Sequence, residues 1–362
     1  MPQPTALLSA IQAHLDDFCA SRRTGFGQIS DDLYPLVDFA ADLLQGGKRF
    51  RALFCYWAWV GTSDQKEQSL DAIVGICAAL EMFHAAALVH DDLLDQSDTR
   101  RGMPAVHKNF ETLHKNQSWA GSSERFGQAG SVLVGDLMLS WSSEIFGNAL
   151  LSAPNAAIER ACRDEFSRMR VEIMAGQYLD VLEENAAPSR NPSEAVSRAQ
   201  RVMLYKTAKY SIEAPVLIGA ALAGASEEQR KNLAAFAIPL GLAFQLRDDV
   251  LGVFGDPKVT GKPAGDDLRE GKRTVLVGLT RQTLDGKVGE IFDEMLSARE
   301  LSDDQIRFLQ QTIVGCGALK KTEEMIEELA RESMQLLDQI EIENVAKESL
   351  KALAELVINR SR

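Results

Sequence analysis

Along most of the chain apolar residues recur three and four positions apart, and runs of alternating β-branched residues are missing. That is the period of an α-helix, in which residues i, i+3, i+4 and i+7 share a face. Leu7, Leu8, Ile11 and Leu15 mark one face of a first helix over residues 4–21, and Arg22–Gln28 reads as the loop to a second helix starting near Asp31. The pattern continues as an apolar helix after Gly46–Arg51 and as helices over Leu70–Asp95, Gly130–Phe146 and Ala161–Glu184. Polar stretches at Gln117–Ser123 and Asn185–Arg190 read as loops. Asn191, Pro192 and Glu194 form a helix start: a capping side chain, a proline at the first position and an acid at the third. That helix runs through Tyr205, where Lys206-Thr207 interrupts the apolar pattern. Ser226-x-x-Gln229 and Ser302-x-x-Gln305 read as capping boxes. The first opens a helix that ends in Asp248-Asp249 and that Pro239 is expected to kink. Thr322–Ile358 reads as one or two amphipathic helices. No internal repeat of 20–50 residues is visible. The pattern predicts an all-α bundle of ten or more helices, and no low-complexity linker divides it, so residues 1–362 read as a single domain.

Two of these helices end in paired acids. Within Leu80–Gly102, an alanine-rich apolar run leads into Asp91, Asp92 and Asp95, followed by Arg100 and Arg101. Asp91 and Asp95 are i,i+4 neighbours, with Cβ atoms about 5–6 Å apart. Two carboxylates on one face repel each other, and a hard divalent cation, typically Mg²⁺ shared with substrate phosphates, relieves the repulsion. Guanidinium forks match phosphate geometry. A lone DDxxD is more often a solvated helix end. The second apolar run ending in paired aspartates, Asp248-Asp249, points instead to two acidic clusters facing each other across a cavity.

Other segments extend that chemistry. Gly46-Gly47-Lys48-Arg49-Phe50-Arg51 places permissive backbone and basic side chains at a helix start, a combination that favours anions. His84 lies two turns before Asp91, about 10 Å along the axis. That distance suits the phosphate of a second substrate better than a metal. Gln177 and Asp180 share a helix face at i,i+3. Gly255–Lys272, GDPKVTGKPAGDDLREGK, is a glycine- and charge-rich loop long enough to expect a function.

The formal net charge of −13 argues against a nucleic-acid partner, since positive charge gathers only near Lys48–Arg51 and Arg100–Arg101. The five cysteines, with no CxxC or Cys/His metal spacing, read as reduced and mostly buried, as in a cytoplasmic protein. The first residues lack the pattern of a signal peptide. The uncharged runs Ala214–Ala225 and Leu233–Phe244 are too short to span a bilayer, so no transmembrane segment is expected.

Taken together, GGKRxR, H-x5-HDDxxD, RRG, GQ-x-x-D, KT and FQ-x-x-DD occur in the order found in the trans-polyprenyl diphosphate synthases, which the chain resembles from Gly46 to Leu276. The resemblance implies the isoprenoid synthase type I fold, an antiparallel helical bundle around a deep central cavity. It implies three Mg²⁺ ions, with Asp91 and Asp95 on two and Asp248 on the third, and Asp92 and Asp249 beside them. Arg100, Lys206 and Lys262 would contact the diphosphate of an allylic substrate. Lys48, Arg51, His84 and Arg101 would hold that of isopentenyl diphosphate. Gln245, Lys206 and Thr207 would face the developing cation, and Lys272 would close over the site with its loop. Homodimerisation is a further implication. One position departs from the family pattern: the second motif reads Asp248-Asp249-Val250-Leu251-Gly252, with glycine where a third aspartate is usual and Asp256 four residues further on.

Ala86 and Ala87, one turn before Asp91, leave room for a long product, and Phe83 would form the floor. This favours geranylgeranyl diphosphate, with a longer polyprenyl product as the alternative. A class I terpene cyclase or head-to-head synthase would lack Lys48, Arg51 and His84. A non-catalytic synthase subunit would have lost acidic ligands, and all five are present.

Overall fold

The computed structural model describes residues 4–62, 70–256, 264–298 and 300–359. Lys262 lies outside the described residues. The described chain is helical almost throughout: α1 (Pro4–Gly27), α2 (Tyr34–Leu43), α3 (Phe50–Thr62), α4 (Leu70–Leu94), α5 (Val106–Asn116), α6 (Ser123–Leu150), α7 (Ala156–Ala186), α8 (Ala195–Val202), a π-helical segment (Met203–Glu213), α9 (Ala214–Leu222), α10 (Glu227–Phe254), α11 (Asp266–Arg269), α12 (Val275–Thr283), α13 (Gly286–Leu296), α14 (Asp303–Gly315), α15 (Ala318–Gln339) and α16 (Asn344–Ile358). The one sheet among the described residues is the hairpin β1 (Thr99–Arg100) and β2 (Met103–Pro104), paired antiparallel with Thr99 opposite Pro104.

The starts of these helices follow local chemistry. Both expected capping boxes form: the Ser226 hydroxyl accepts from Gln229 N–H, the Ser302 hydroxyl from Gln305 N–H, and each glutamine reaches back. Asn191 caps as expected, accepting from Ser193 N–H at 3.0 Å, although it opens a short 3-10 turn (Pro192–Glu194) before α8. Other boundaries differ. α1 runs through Arg22 to Gly27, where a loop was expected, because Arg22 and Arg23 reach Glu144 and Asp38 and hold the last turns in place. Lys206-Thr207 does not interrupt a helix; it lies inside the π segment, which joins α8 to α9. α10 continues as one helix from Glu227 to Phe254 with Pro239 inside it, and the expected kink there is a bend rather than a boundary.

α3 and α4 form the centre. Almost every residue of α3 is buried, and α4 packs on α6 and α3. α10 packs on α15, and with α7 it encloses the π segment. By length and composition alone α4 (Leu70–Leu94), a helix other than the two uncharged runs weighed above, is apolar enough to cross a membrane. Its apolar surface is spent inside the bundle instead, where 72% of its most hydrophobic window is buried.

Candidate active site

A cavity of about 600 Å³ opens where the end of α4, the hairpin, the π segment and the end of α10 meet. Asp91 enters from α4 and Asp248 and Asp249 from α10, so the two paired-aspartate segments face one space. Arg100 and Arg101 are delivered by the hairpin. Its two turn residues, Arg101 and Gly102, have φ of 53° and 76°, the left-handed geometry of a tight two-residue hairpin turn. The turn sends Arg100 back toward α4 and lays Arg101 over Gly47, where a Cβ would come within 3.2 Å of the guanidinium nitrogens. Lys48 and Arg51, at the start of α3, complete a basic side of the cavity. His84, Lys206, Thr207, Gln245 and Lys272 also line it.

The acids are not equivalent. Asp95 continues the α4 hydrogen-bond ladder, donating its N–H to the Asp91 carbonyl at 2.8 Å. Asp91 Oδ1 accepts from Lys206 Nζ at 3.1 Å and Gln177 Nε2 at 3.2 Å, and Lys206 also pairs with Asp180. Burial pushes the Asp91 carboxyl up, but Lys206, Lys272 and Arg100 outweigh it and bring it down to about 2. One residue on, Asp92 turns away from the cavity and is 2% exposed. It accepts from Arg100 Nε at 2.8 Å and so anchors the arginine. Asp95 meets Lys272 Nζ at 3.1 Å, and Lys272 also reaches Glu270 at 2.6 Å and Asp267 at 3.6 Å. Burial, partly offset by Lys272, raises the Asp95 carboxyl. Burial likewise raises buried Asp249, against the Gln245 Nε2 hydrogen bond at 2.7 Å.

The donor set is hard: every acidic group at the mouth offers carboxylate oxygen, the ligand class Mg²⁺ takes. Among the described residues no three histidine, cysteine or acidic side chains are gathered into a metal-holding group. The ammonium groups of Lys206 and Lys272 stand beside Asp91 and Asp95. Such an arrangement fits a cation that draws its remaining ligands from substrate oxygens, as Mg²⁺ does.

The chain-length candidates separate. Ala87 lines the cavity with Leu88, Ile173, Met203 and Phe244. Ala86 is fully buried behind that wall, and Phe83 packs edge-on against Phe166 and Tyr210.

Several cavity residues escaped the sequence reading. Tyr210 donates to or accepts from His84 Nδ1 at 2.8 Å and underlies the Arg51 guanidinium at 4.5 Å, while Arg51 Nη2 donates to Ser211 Oγ at 2.8 Å. Glu81 accepts from Ala52 N–H at 3.2 Å, taking one of the α3 N-terminal donors. Burial raises its carboxyl against the pull of Arg51 and Arg49. A charge inside the apolar α4 run, three residues before His84, was the available signal. Tyr210 and Ser211 gave none, because the π segment sets their direction.

Residues 35–313 match the Polyprenyl synthetase family model. The chain is 32% identical to the short chain isoprenyl diphosphate synthase of Methanocaldococcus jannaschii over 73% of this chain and 72% of that protein. It is 30% identical to the geranylgeranyl diphosphate synthase of Sulfolobus acidocaldarius over 92% and 93%. Its fold matches a crystal structure of geranylgeranyl pyrophosphate synthase from Corynebacterium glutamicum, complexed with isoprenyl diphosphate and magnesium. The TM-score is 0.91, with 34% identity over 98% of this chain and 99% of that one. With acidic clusters and bases converging on one cavity of an all-α bundle, the chain belongs to the polyprenyl synthetase family and is a trans-prenyltransferase.

Proposed function

We infer that this prenyltransferase joins isopentenyl diphosphate head-to-tail to an allylic diphosphate and releases geranylgeranyl diphosphate. The observation that carries the reading is the meeting of Asp91 with Asp248 and Asp249 at the mouth of a cavity that has one basic side and one apolar wall. The site divides by charge. Asp91, Asp95, Asp248, Asp249, Arg100, Lys206 and Lys272 serve the allylic diphosphate. Lys48, Arg51, Arg101 and His84 serve isopentenyl diphosphate. Asp92 acts by holding Arg100.

The allylic C–O bond breaks with its electron pair leaving on diphosphate. Bound magnesium supplies positive charge against that departing group. Arg100, Lys206 and Lys272 add fixed charge at the same place. The apolar wall of Ala87, Leu88, Ile173, Met203 and Phe244 keeps water from the cation. Thr207 and Gln245 turn polar oxygens toward it. The isopentenyl alkene attacks, a C–C bond forms, and the departed diphosphate takes the proton. No side-chain base is required.

Magnesium is favoured by the all-oxygen donor set and by the magnesium-bound Corynebacterium glutamicum relative. A second copy of the chain is the expected partner. Val171, Met174 and Tyr178 form an exposed i, i+3, i+7 stripe on α7, and Val132 and Leu133 are exposed on α6. The cytoplasm fits the five cysteines, none of which is in a disulfide.

The test is to incubate the purified chain with labelled isopentenyl diphosphate, C5, C10 and C15 allylic primers and Mg²⁺, then size the products. A C20 product is expected. Asp91→Ala and Asp248→Ala should each lower turnover by about 10³-fold or more, the scale on which removal of one electrostatic stabiliser acts. Near-normal turnover in either variant would end the reading.

A further inference from the structure

Three of the four residues that lead into α3 carry left-handed backbone: Gly46 and Gly47, at φ of 71° and 85°, and Arg49, at 48°. Glycine takes that conformation freely, whereas the side chain of Arg49 strains it. A strained residue persists only where its surroundings hold it, and such residues cluster at functional sites. Lys48 precedes α3 and Arg51 is its second residue, yet both line the cavity, and the chain turns between them at Arg49. The Arg49 carbonyl accepts the Leu53 N–H at 3.0 Å, so the α3 hydrogen-bond ladder begins on the strained residue.

What holds Arg49 comes from α1 and α2. Its side chain is 7% exposed, in contrast to exposed Lys48 and half-buried Arg51. Arg49 borders the cavity, but its Nη2 donates to the Leu44 carbonyl, at the C-terminus of α2, at 2.9 Å and to Gln12 Oε1 of α1. Gln12 is itself held: its Nε2 donates to Asp16 Oδ1 at 2.8 Å, and Gln45 Nε2 donates to the same oxygen at 3.1 Å. The amide nitrogen of Gln12 is thereby committed to Asp16 and its oxygen to Arg49. Neither Gln12 nor Leu44 lines the cavity.

We propose that Arg49 is a positioning residue for the isopentenyl diphosphate side: its anchor on α1 and α2 holds the left-handed turn that brings Lys48 and Arg51 to the same cavity. The proposal rests on the assignment of Lys48 and Arg51 to isopentenyl diphosphate made above. It goes beyond that assignment in making the affinity for one substrate depend on Gln12, a residue of α1 outside the cavity.

The test uses the full chain and measures KM for isopentenyl diphosphate and for the allylic primer, with thermal unfolding recorded for every variant. Arg49→Gly leaves the backbone free to keep its conformation and removes the anchor. It should raise the KM for isopentenyl diphosphate by about 10-fold or more, the scale of a hydrogen bond to a charged group, and leave that for the allylic primer close to its original value. Gln12→Met keeps every positive charge in place and removes only an acceptor of the Arg49 guanidinium. It should raise the same KM by about 3-fold, as for loss of an ordinary hydrogen bond. If Arg49→Gly does not fold, Gln12→Met decides alone. An unchanged isopentenyl diphosphate KM in a folded Arg49→Gly would overturn the proposal, and so would equal effects on the two substrates. A shift in Arg49→Gly with none in Gln12→Met would also end it, because Arg49 would then act as a direct contact of the diphosphate. Lys48→Ala separates the two levels: if it raises the isopentenyl diphosphate KM while Arg49→Gly does not, the Arg49 proposal alone falls. If Lys48→Ala leaves that KM unchanged, the assignment of the basic side falls and the positioning role falls with it.

Discussion

Ala86 and Ala87 are neighbours in sequence and differ in consequence. One helical step turns a side chain by about 100°, enough to move it from the cavity wall into the packed interior. Ala87 faces the cavity, and Ala86 is fully buried behind it. Ala87→Phe is therefore expected to shorten the product by at least one isoprene unit with little effect on folding. Ala86→Phe should instead overpack the core and cost about 1–3 kcal/mol of stability. Product sizing and denaturant unfolding of the two variants check this. Unchanged products from Ala87→Phe would take that residue off the path of the growing chain. The same single-step logic divides the first motif: Asp91 faces the mouth, while Asp92 faces inward and holds Arg100. The DDxxD pattern contained that division, since Asp91 and Asp95 share a face and Asp92 does not. What Asp92 would hold was not legible, because Arg100 returns to it only through a turn with two left-handed residues.

At the scale of elements, the π segment carries the chemistry that a hydrophobic pattern conceals. A π-helix widens the hydrogen-bonded ring and shifts the direction of every later side chain, and such segments recur at functional sites. Here Lys206, Thr207, Tyr210 and Ser211 all line the cavity within one segment, Met203–Glu213. It is gripped from both sides through glycines. A Cβ on Gly176 of α7 would lie 2.3 Å from Lys206 N, and one on Gly241 of α10 would lie 2.6 Å from Ala208 Cα. These neighbours are backbone atoms and cannot swing aside. Gly176→Ala should thus cost about 1–3 kcal/mol and also lower turnover, because it displaces Lys206. Gly147→Ala on α6, where a Cβ meets nothing within 4 Å, is the control: it should leave turnover unchanged and raise stability by about 0.5–1 kcal/mol, as alanine for glycine does inside a helix. Denaturant midpoints and turnover of the pair decide it. If Gly176→Ala behaved like the control, α7 would not position the π segment. The expected break at Lys206-Thr207 was a reasonable reading of an interrupted apolar pattern. Periodicity reports which residues are apolar, and a change from 3.6 to a wider turn leaves that record looking like an end.

At the scale of the whole molecule, the site is an assembly of segments far apart in the chain: α3, α4, the hairpin, the π segment, α10 and α11. Val171, Met174 and Tyr178 on α7 are among the large apolar side chains left exposed. On the proposal that this stripe joins two copies, Val171→Glu with Tyr178→Glu should leave the chain monomeric in sedimentation equilibrium, and a mass equal to that of the unaltered chain would place any contact elsewhere. The sequence by itself determined the helical class, the capping boxes at Ser226 and Ser302, and the residue types of the site, because each depends on spacing within a few turns of one helix. It also marked Gly252 as a departure. Only the tertiary structure decided that Asp267 fills the space beside Gly252, that Tyr210 stands between His84 and Arg51, and that the apolar α4 is a core helix with its acids at a cavity mouth. Those contacts join residues 15 to more than 100 positions apart, and no local period encodes a distance across a bundle.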